Sequence, residues 1–301
     1  MKNVFIVRND HEDSKRCERL LREKFNSLGV AVNSGYTEDT KLIICIGGDG
    51  TFLRSVHSLG FPGQNIVGIN TGGLGFFQEI SISELDDFIE AYVQGRYSVQ
   101  TLQCLQASIV VAKAEEPTDE GLQKCVHASL NGEDNIIFHY ESEDEKKRVF
   151  KANFLNEITV KSVLPKPVHI DIYIGNQFIE MFSGDGILAA TSAGSTGYNY
   201  SLGGAIMDPR LSNIQLTPIA PISSTAYRAF TSSLLLPASE AIKIVSRSND
   251  GLVVAGDGFS SEFKNIKEIN IELSPVNIKL LRFENYEFWA KAKNKFLIPS
   301  E

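Results

Sequence analysis

The sequence lacks several features that would each have fixed its class. No apolar run approaches the ~18 residues that cross a bilayer, so a membrane-spanning helix is not expected. The four cysteines, Cys17, Cys45, Cys104 and Cys125, lie far apart with no C-x-x-C pair. That pattern argues against a disulfide framework and for buried or inert thiols in a reducing compartment. The P-loop and H-E-x-x-H patterns are missing, as is any paired metal-ligand cluster, which removes several common enzyme classes. There is no internal repeat at solenoid periods. The opening MKNVFIVRND is too short in apolar residues for a signal peptide and carries no small-residue cleavage site; it reads as a first strand, and the expected location is cytoplasmic. Positive charge is also in deficit. With 29 Lys and Arg against 37 Asp and Glu the net charge is −8, which repels phosphate backbones at long range, so nucleic acid is not an expected partner.

What is present describes a folded globular chain of two domains: 301 residues, 43% hydrophobic and 22% charged. The first hundred residues alternate strand and helix patterns. Asn3 to Val7 is apolar, and Ser14 to Leu28 places Cys17, Leu20, Leu21, Phe25 and Leu28 at helical spacing before Gly29. Lys41 to Ile46 is a second apolar run ending in glycines, Thr51 to Leu59 is again helical, and Ile66 to Asn70 is a further buried strand. This order predicts a parallel sheet with helices on its faces and ligands at the carboxyl ends of its strands. From about Ser98 the pattern becomes β-branched: Ala107 to Ala112, Ile136 to His139, Phe154 to Val160, His169 to Ile174 and Ile187 to Thr191. Glu115 to Gly121 and the charged run Glu141 to Arg148 read as loops or hairpin tips. The tail Tyr286 to Lys295, with the only tryptophan, is too apolar to hang free and is expected to dock on the fold. The boundaries predicted are 1–97 for the α/β domain, 98–275 for the β domain and 276–301 for the tail.

The chemistry gathers at glycine turns. Gly47, Gly48, Asp49, Gly50 and Thr51 follow an apolar strand and precede a helix, where amides favour an anion and a carboxylate can orient a hydroxyl and take its proton. Alone the motif leaves a second reading open, in which the turn simply needs glycine and Asp49 caps the helix. Asn70 to Phe77 supplies another glycine turn at the same sheet edge, with Phe76 or Phe77 as an aromatic wall or as core. Asn156 and Glu157 interrupt an apolar run, as a hydrogen-bonded structural pair or as a ligand site. The longest motif is GDGILAATSAGSTGYNYSLGG, from Gly184 to Gly204. Its start fits G-x-G-x-x-A, but the following residues are strand-like, so a dinucleotide fingerprint is rejected. Gly194 to Gly197 suits an anion-binding turn with Tyr198 beside it, or a hairpin loop.

Together these motifs resemble the NAD kinase family: GGDGT at Gly47 to Thr51, NTGGLGF at Asn70 to Phe76, Asn156 with Glu157, and GDG plus GSTGY from Gly184 to Tyr198. Gly256, Asp257 and Gly258 resemble a late D-G turn of the same family. The resemblance implies a Rossmann-like N-terminal α/β domain, a predominantly β C-terminal domain, NAD held between them, and a tail returning to the first domain. It implies Asp49 as base on the 2′-hydroxyl, Gly47, Gly48, Gly50 and Thr51 at phosphate, and Asn156 and Glu157 at the adenosine ribose. Phe76 would border the adenine, Thr196, Gly197, Tyr198 and Ser201 would contact the adenosine end, and Asp185 would lie nearer the nicotinamide. It further implies ATP or polyphosphate as donor, a divalent metal such as magnesium arriving with the donor, and homodimers or homotetramers. Where the family reads T-P-T/S-G-S-T-A-Y, this chain has Thr191, Ser192, Ala193, Gly194, Ser195, Thr196, Gly197 and Tyr198. Losing proline frees the backbone, and Gly197 removes a methyl from the pocket wall. The G-G-D-G-T turn also occurs in lipid kinases of the diacylglycerol and sphingosine type, and a non-catalytic NAD(P)-binding regulator is a third reading.

Overall fold

A computed structural model of the chain describes residues 3–73, 75–112, 139–144, 147–223, 228–248, 250–284 and 286–297. The chain divides into two compact units, residues 1–102 with 277–301, and residues 103–276.

The first unit opens with β1 (Asn3–Arg8), α1 (Glu12–Ser27), β2 (Ala31–Asn33), β3 (Leu42–Gly47), α2 (Asp49–Ser58), β4 (Asn65–Asn70), β5 (Gln78–Ser81) and α3 (Leu85–Gln94). Its strands run parallel in the order β2-β1-β3-β4, and β5 adds in parallel to β4. Every residue of β3 is buried, which is why it reads as a continuous apolar run and not as an alternation. Helix α1 turns Cys17, Leu21 and Phe25 inward, onto a core that includes Val4, Ile44, Ile46, Val67 and Ile69. It ends where Gly29 takes a left-handed φ of 69°. β3 and β4 are paired to their ends, Gly47 opposite Asn70, so the two glycine-rich stretches leave the sheet side by side at its carboxyl edge. That edge is where open parallel sheets bind ligands.

The second unit begins within β6 (Ser98–Ala112) and continues through β7 (His139–Asp144), β8 (Lys147–Phe154), β9 (Glu157–Ser162), β10 (Val168–Ile174), β11 (Gln177–Gly184) and β12 (Gly186–Ala190). A 3-10 turn, Ala193–Thr196, and the short helix α4 (Tyr198–Ser201) lead to β13 (Asn213–Ile219), β14 (Leu234–Pro237), β15 (Ile242–Ser246), β16 (Leu252–Gly256), β17 (Phe259–Phe263) and β18 (Ile266–Arg282). Six strands form an antiparallel sheet in the order β14-β13-β12-β9-β16-β17. A second antiparallel run, β11-β10-β15-β18, carries β6 beside β18, with β8 on β6 and β7 on β8. Ile170, Phe182 and Ile244 from one sheet share a core with Val160, Ile187, Ile214 and Val254 from the other.

Several local expectations change. Phe154 to Val160 is not one strand: β8 ends at Phe154, the chain bends through Leu155 and Asn156, and β9 starts at Glu157. The charged run 141–148 lies mostly in the paired strands β7 and β8, with Asp144 opposite Lys147, while Glu115 to Gly121 falls outside the described residues. Helix α2 starts at Asp49, two residues before the apolar periodicity shows it. Gly194 to Thr196 lie in a 3-10 turn, which Gly197 joins to α4, and do not form a hairpin tip.

The chain returns to the first unit through the end of β18, where Lys279 and Leu280 pair in parallel with Asn65 and Ile66 of β4. Arg282 makes a buried pair with Glu79 at 3.2 Å and stacks on Tyr286, its guanidinium 3.5 Å from the ring centre. Helix α5 (Phe288–Phe296) follows and packs on the second glycine turn, Phe288 against Phe76. No helix among the described residues is long and apolar enough to cross a membrane.

The close approach of β5 to β4 depends on Gly68. A Cβ there would stand 2.6 Å from the Phe77 carbonyl oxygen and 2.8 Å from the Gln78 Cα, both backbone atoms that cannot swing aside. Gly68→Ala should therefore destabilise the first unit by roughly 2 kcal/mol, as overpacking does. Urea unfolding with an unchanged midpoint would contradict this.

Candidate active site

In the first unit the site is assembled from the ends of β3 and β4. Gly47 sits at φ 148°, and a Cβ on it would fall 2.5 Å from Thr51 Oγ1 and 2.9 Å from Asn9 Nδ2, so only glycine fits. Gly48 is the N-cap of α2 with no capping side chain; the Thr51 amide is taken by the Gly48 carbonyl at 2.9 Å, so the amides of Asp49 and Gly50, with the positive end of the dipole, suit an anion. Gly50 lies exposed in that first turn, and the buried Thr51 hydroxyl accepts from Asn9 Nδ2 at 3.4 Å.

Asp49 is the first residue of α2, and it does not cap that helix. Its carboxylate turns to the neighbouring glycine turn, where the Phe76 amide donates to Oδ1 and Oδ2 at 2.9 and 3.0 Å and the Phe77 amide donates to Oδ1 at 3.0 Å. The capping account of Asp49 is thereby replaced by one in which it ties the two turns together. Gly75 makes this possible, since a Cβ on it would lie 2.6 Å from Asp49 Oδ1 and 2.1 Å from Gln78 Oε1. Those two oxygens thus face one point. Gln78 is 2% exposed, and neither polar atom of its side chain has a hydrogen-bond partner. Lys295 of α5 completes the set, with Nζ 3.7 Å from Asp49 Oδ2. The two phenylalanines part company: Phe77 stacks on Phe52 at 4.6 Å as core, whereas Phe76 meets Phe288, Phe296 and the Lys295 ammonium.

In the second unit Asn156 and Glu157 are held from behind by Asp257. Its carboxylate accepts the amides of Leu155, Asn156 and Glu157 at 2.5, 2.8 and 3.4 Å. Asp257 itself takes a left-handed φ of 54°, an uncommon conformation for a side chain with a Cβ. Thr191 binds the same bend from the other side, its hydroxyl to the Leu155 carbonyl at 2.7 Å and its amide to the Asn156 carbonyl at 2.9 Å. Gly194 and Gly256 allow this approach, because a Cβ on either would meet the Asn156 or Glu157 carbonyl at 2.0 or 2.1 Å. With the backbone fixed, Asn156 Oδ1 and Glu157 Oε2 are left buried and without partners.

The block from Thr191 divides into structural and available groups. Ser195 is fully buried, its hydroxyl bound to the Ser192 carbonyl at 2.7 Å and receiving the Met207 amide at 2.9 Å. Ser192, at the family's proline position, has φ −60°, near proline's own value, and its hydroxyl bonds the Leu211 carbonyl at 2.6 Å and Asn213 Oδ1 at 2.7 Å. Hydrogen bonds thus restrain a backbone that the loss of proline was expected to free. Thr196 is half-buried, Gly197 lies beside Glu157, Tyr198 is exposed, and Ser201 is exposed on α4. Asp185 occupies the turn between β11 and β12 and is exposed. It is one residue from Gly186, which pairs with Lys161. Lys161 Nζ donates to the Tyr198 hydroxyl at 3.0 Å and so links that turn to the GSTGY block.

Lys161, Gln78 and Lys295 were not singled out from sequence. Lys161 is a polar residue at the solvent-facing end of an apolar strand, and a Lys in that position most often only marks a strand end. Gln78 is legible only through burial, and Lys295 only through the docking of a helix far along the chain.

Glu157 is buried with Asp257 nearby. Burial, and secondarily the Asp257 charge, push its carboxyl up from 4.5 to about 8. Between those values the folded chain keeps a proton that the unfolded chain releases, so stability is present at low pH and declines as pH rises through about 8. Glu157→Gln removes the titration. Its melting temperature should change less with pH across this window and exceed the parent's at the alkaline end; parallel profiles would mean Glu157 is not the source.

Comparison with known proteins gives a match to each half of the chain. Residues 5–97 match the ATP-NAD kinase N-terminal domain and residues 155–283 the ATP-NAD kinase C-terminal domain. An NAD kinase of Finegoldia magna is 30% identical over 299 residues, 98% of this chain and 97% of that protein. One from Lactobacillus gasseri is 28% identical over 300 residues, again 98% and 97%. Two solved structures share the fold. A yeast NADH kinase complexed with NADH has a TM-score of 0.72 at 20% identity, covering 99% of this chain and 87% of that one. An NAD kinase of Archaeoglobus fulgidus in complex with ATP has a TM-score of 0.71 at 23% identity, covering 99% and 100%. With both halves matched and the Finegoldia relative aligned along nearly its whole length, the chain belongs to the NAD kinase family.

Proposed function

We propose that Asp49 is the general base of the reaction this chain catalyses, transfer of a phosphoryl group from ATP or polyphosphate to the 2′-hydroxyl of the adenosine ribose of NAD, giving NADP. The observation that carries this reading is the Asp49 carboxylate, held by the Phe76 and Phe77 amides where two glycine turns meet. A carboxylate offers about four acceptor positions, and the two amides make three contacts, so Oδ2 retains capacity for a sugar hydroxyl. As the hydroxyl oxygen attacks phosphorus, its proton passes to Asp49. The bond from that phosphorus to the bridging oxygen breaks, and the electron pair leaves with the shortened donor. Such transfers pass through a loose transition state, and the protein contributes mainly position and charge stabilisation. The backbone of Gly47, Gly48, Gly50 and Thr51 at the start of α2 suits the phosphates. Magnesium belongs to the substrate and enters with the donor phosphates.

Asn156 and Glu157 suit the ribose and nearby polar groups of the dinucleotide. A hydroxyl both gives and accepts, and below about pH 8 it meets an amide oxygen and a protonated carboxyl, each buried and unpaired. Thr196, Gly197, Tyr198 and Ser201 take the adenosine end and Asp185 the nicotinamide end, with Lys161 supporting Tyr198. The reading extends to a cytoplasmic enzyme that assembles as a homodimer or homotetramer. The buried thiols of Cys17 and Cys45 support a reducing compartment, and the family resemblance supports the assembly. Lipid phosphorylation, which G-G-D-G-T alone would allow, has no counterpart in a second half that matches the NAD kinase C-terminal domain.

Asn at position 49 keeps an acceptor for the two amides but is no base. Asp49→Asn should reduce NADP formation from NAD and MgATP by ~100-fold or more while leaving NAD binding nearly intact. Near-normal turnover would remove Asp49 from the role. Binding of NAD with no turnover in the parent protein would instead make it a regulator.

A further inference from the structure

The terminal helix carries two lysines to the second glycine turn, and they differ in kind. Lys291 is an anchor: its ammonium donates to the Gln78 carbonyl and lies 5.6 Å from the centre of the Tyr286 ring. Burial, with Arg282 close by, holds it down to about 8. Lys295, one turn later, has a side chain one-third exposed (33%) and stands 5.0 Å above the Phe76 ring and 3.7 Å from Asp49 Oδ2. That separation exceeds the ~2.7 to 2.9 Å of a charge-assisted hydrogen bond, so the contact is Coulombic and leaves room for an oxygen to bridge the two groups.

The helix is fixed there by more than this pair. The Phe76 ring has Phe288 at 5.9 Å and Phe296 at 5.8 Å, so the turn that binds Asp49 through its amides is the turn α5 grips through its ring. Beside it lies Gln78, a buried amide with no partner facing the same point as Asp49 Oδ1. A buried unsatisfied amide costs ~1 to 3 kcal/mol and marks a place where a polar group belongs. The glycine turn itself holds a carboxylate and no lysine, although charge accumulates on the transferring phosphoryl group and must be balanced. Arg54 of α2 lies beside Gly50, whereas the cation that pairs with the Asp49 carboxylate among the described residues is Lys295.

We propose that Lys295 is a further catalytic residue, a cationic ligand for the phosphoryl group of the donor, delivered to Asp49 by the terminal helix. Resting against the base, it is placed to meet an incoming phosphate oxygen while Asp49 takes the hydroxyl proton. The chemical class recognised is a terminal phosphate of a nucleoside triphosphate or polyphosphate. This rests on the reading of Asp49 as the base.

The test compares Lys295→Ala, Lys295→Arg and Lys293→Ala with the parent and with Asp49→Asn, all as full chains, in NADP formation from NAD and MgATP. Lys293 is exposed on the same helix, so its loss removes equal charge without touching the site. Lys295→Ala should raise the KM for ATP and lower kcat, with a combined loss of ~10-fold or more, while the KM for NAD stays within twofold. Lys295→Arg should recover part of the loss, and Lys293→Ala should match the parent. If Lys295→Ala keeps the parent's KM for ATP and kcat, or loses activity only through a raised KM for NAD or a lower melting temperature, the proposal is wrong although Asp49 stands. An inactive parent, or an active Asp49→Asn, overturns both.

Discussion

A carboxylate accepting backbone amides from another turn is the interaction on which the first unit's active edge depends. Parallel strands end in loops whose amides have no ladder partner, and two adjacent glycine loops would otherwise leave each other undefined. Asp49 resolves both problems, taking the Phe76 and Phe77 amides on one group at the head of α2. The base role proposed for Asp49 and its structural role therefore rest on the same geometry. Gly47, Gly68 and Gly75 are the positions where that geometry tolerates no Cβ.

The second unit repeats the device with a different allocation of tasks. Asp257 gathers three consecutive amides at the bend before β9, so the acid that shapes this bend is separate from the polar pair that the bend presents. The side chains of Asn156 and Glu157 then keep unmet hydrogen-bonding capacity. Two acids packed in one buried place cannot both be charged cheaply, and it is Glu157 that stays protonated. Unmet polar groups cost stability here, which is the trade expected at the ligand site proposed for this pair.

Much of the architecture was legible in the sequence because β3 is wholly buried, β4 is buried except at its two ends, and the first unit's helices are amphipathic, so period and length separate them. The glycine turns could be placed at strand ends for the same reason. Less legible were features decided by tertiary contact. Asn156 and Glu157 looked like a polar lapse inside a strand, since nothing local says that Asp257, a hundred residues away, bends the chain there. Asp49 looked equally like a cap, because the Phe76 and Phe77 amides that claim it belong to the next turn. Ser192 departed from the family pattern in a way that seemed to loosen the loop, and only its bonds to Leu211 and Asn213 reveal why it does not. Lys295 and Gln78 carry no motif at all; a buried amide without a partner and a docked helix are properties of the folded chain.

Gly197 decides how closely the turn it ends can approach Glu157. An alanine there, as in the family pattern, would put its methyl 3.1 Å from Glu157 Oε2 and 3.6 Å from Asn156 Nδ2. The Gly194 carbonyl oxygen would stand 3.3 Å from the same methyl, so there is less room here than a methyl ordinarily takes. With glycine in its place the turn can lie against the Glu157 carboxyl without displacing it, so a single missing carbon keeps two stretches of backbone together that a methyl would prise apart.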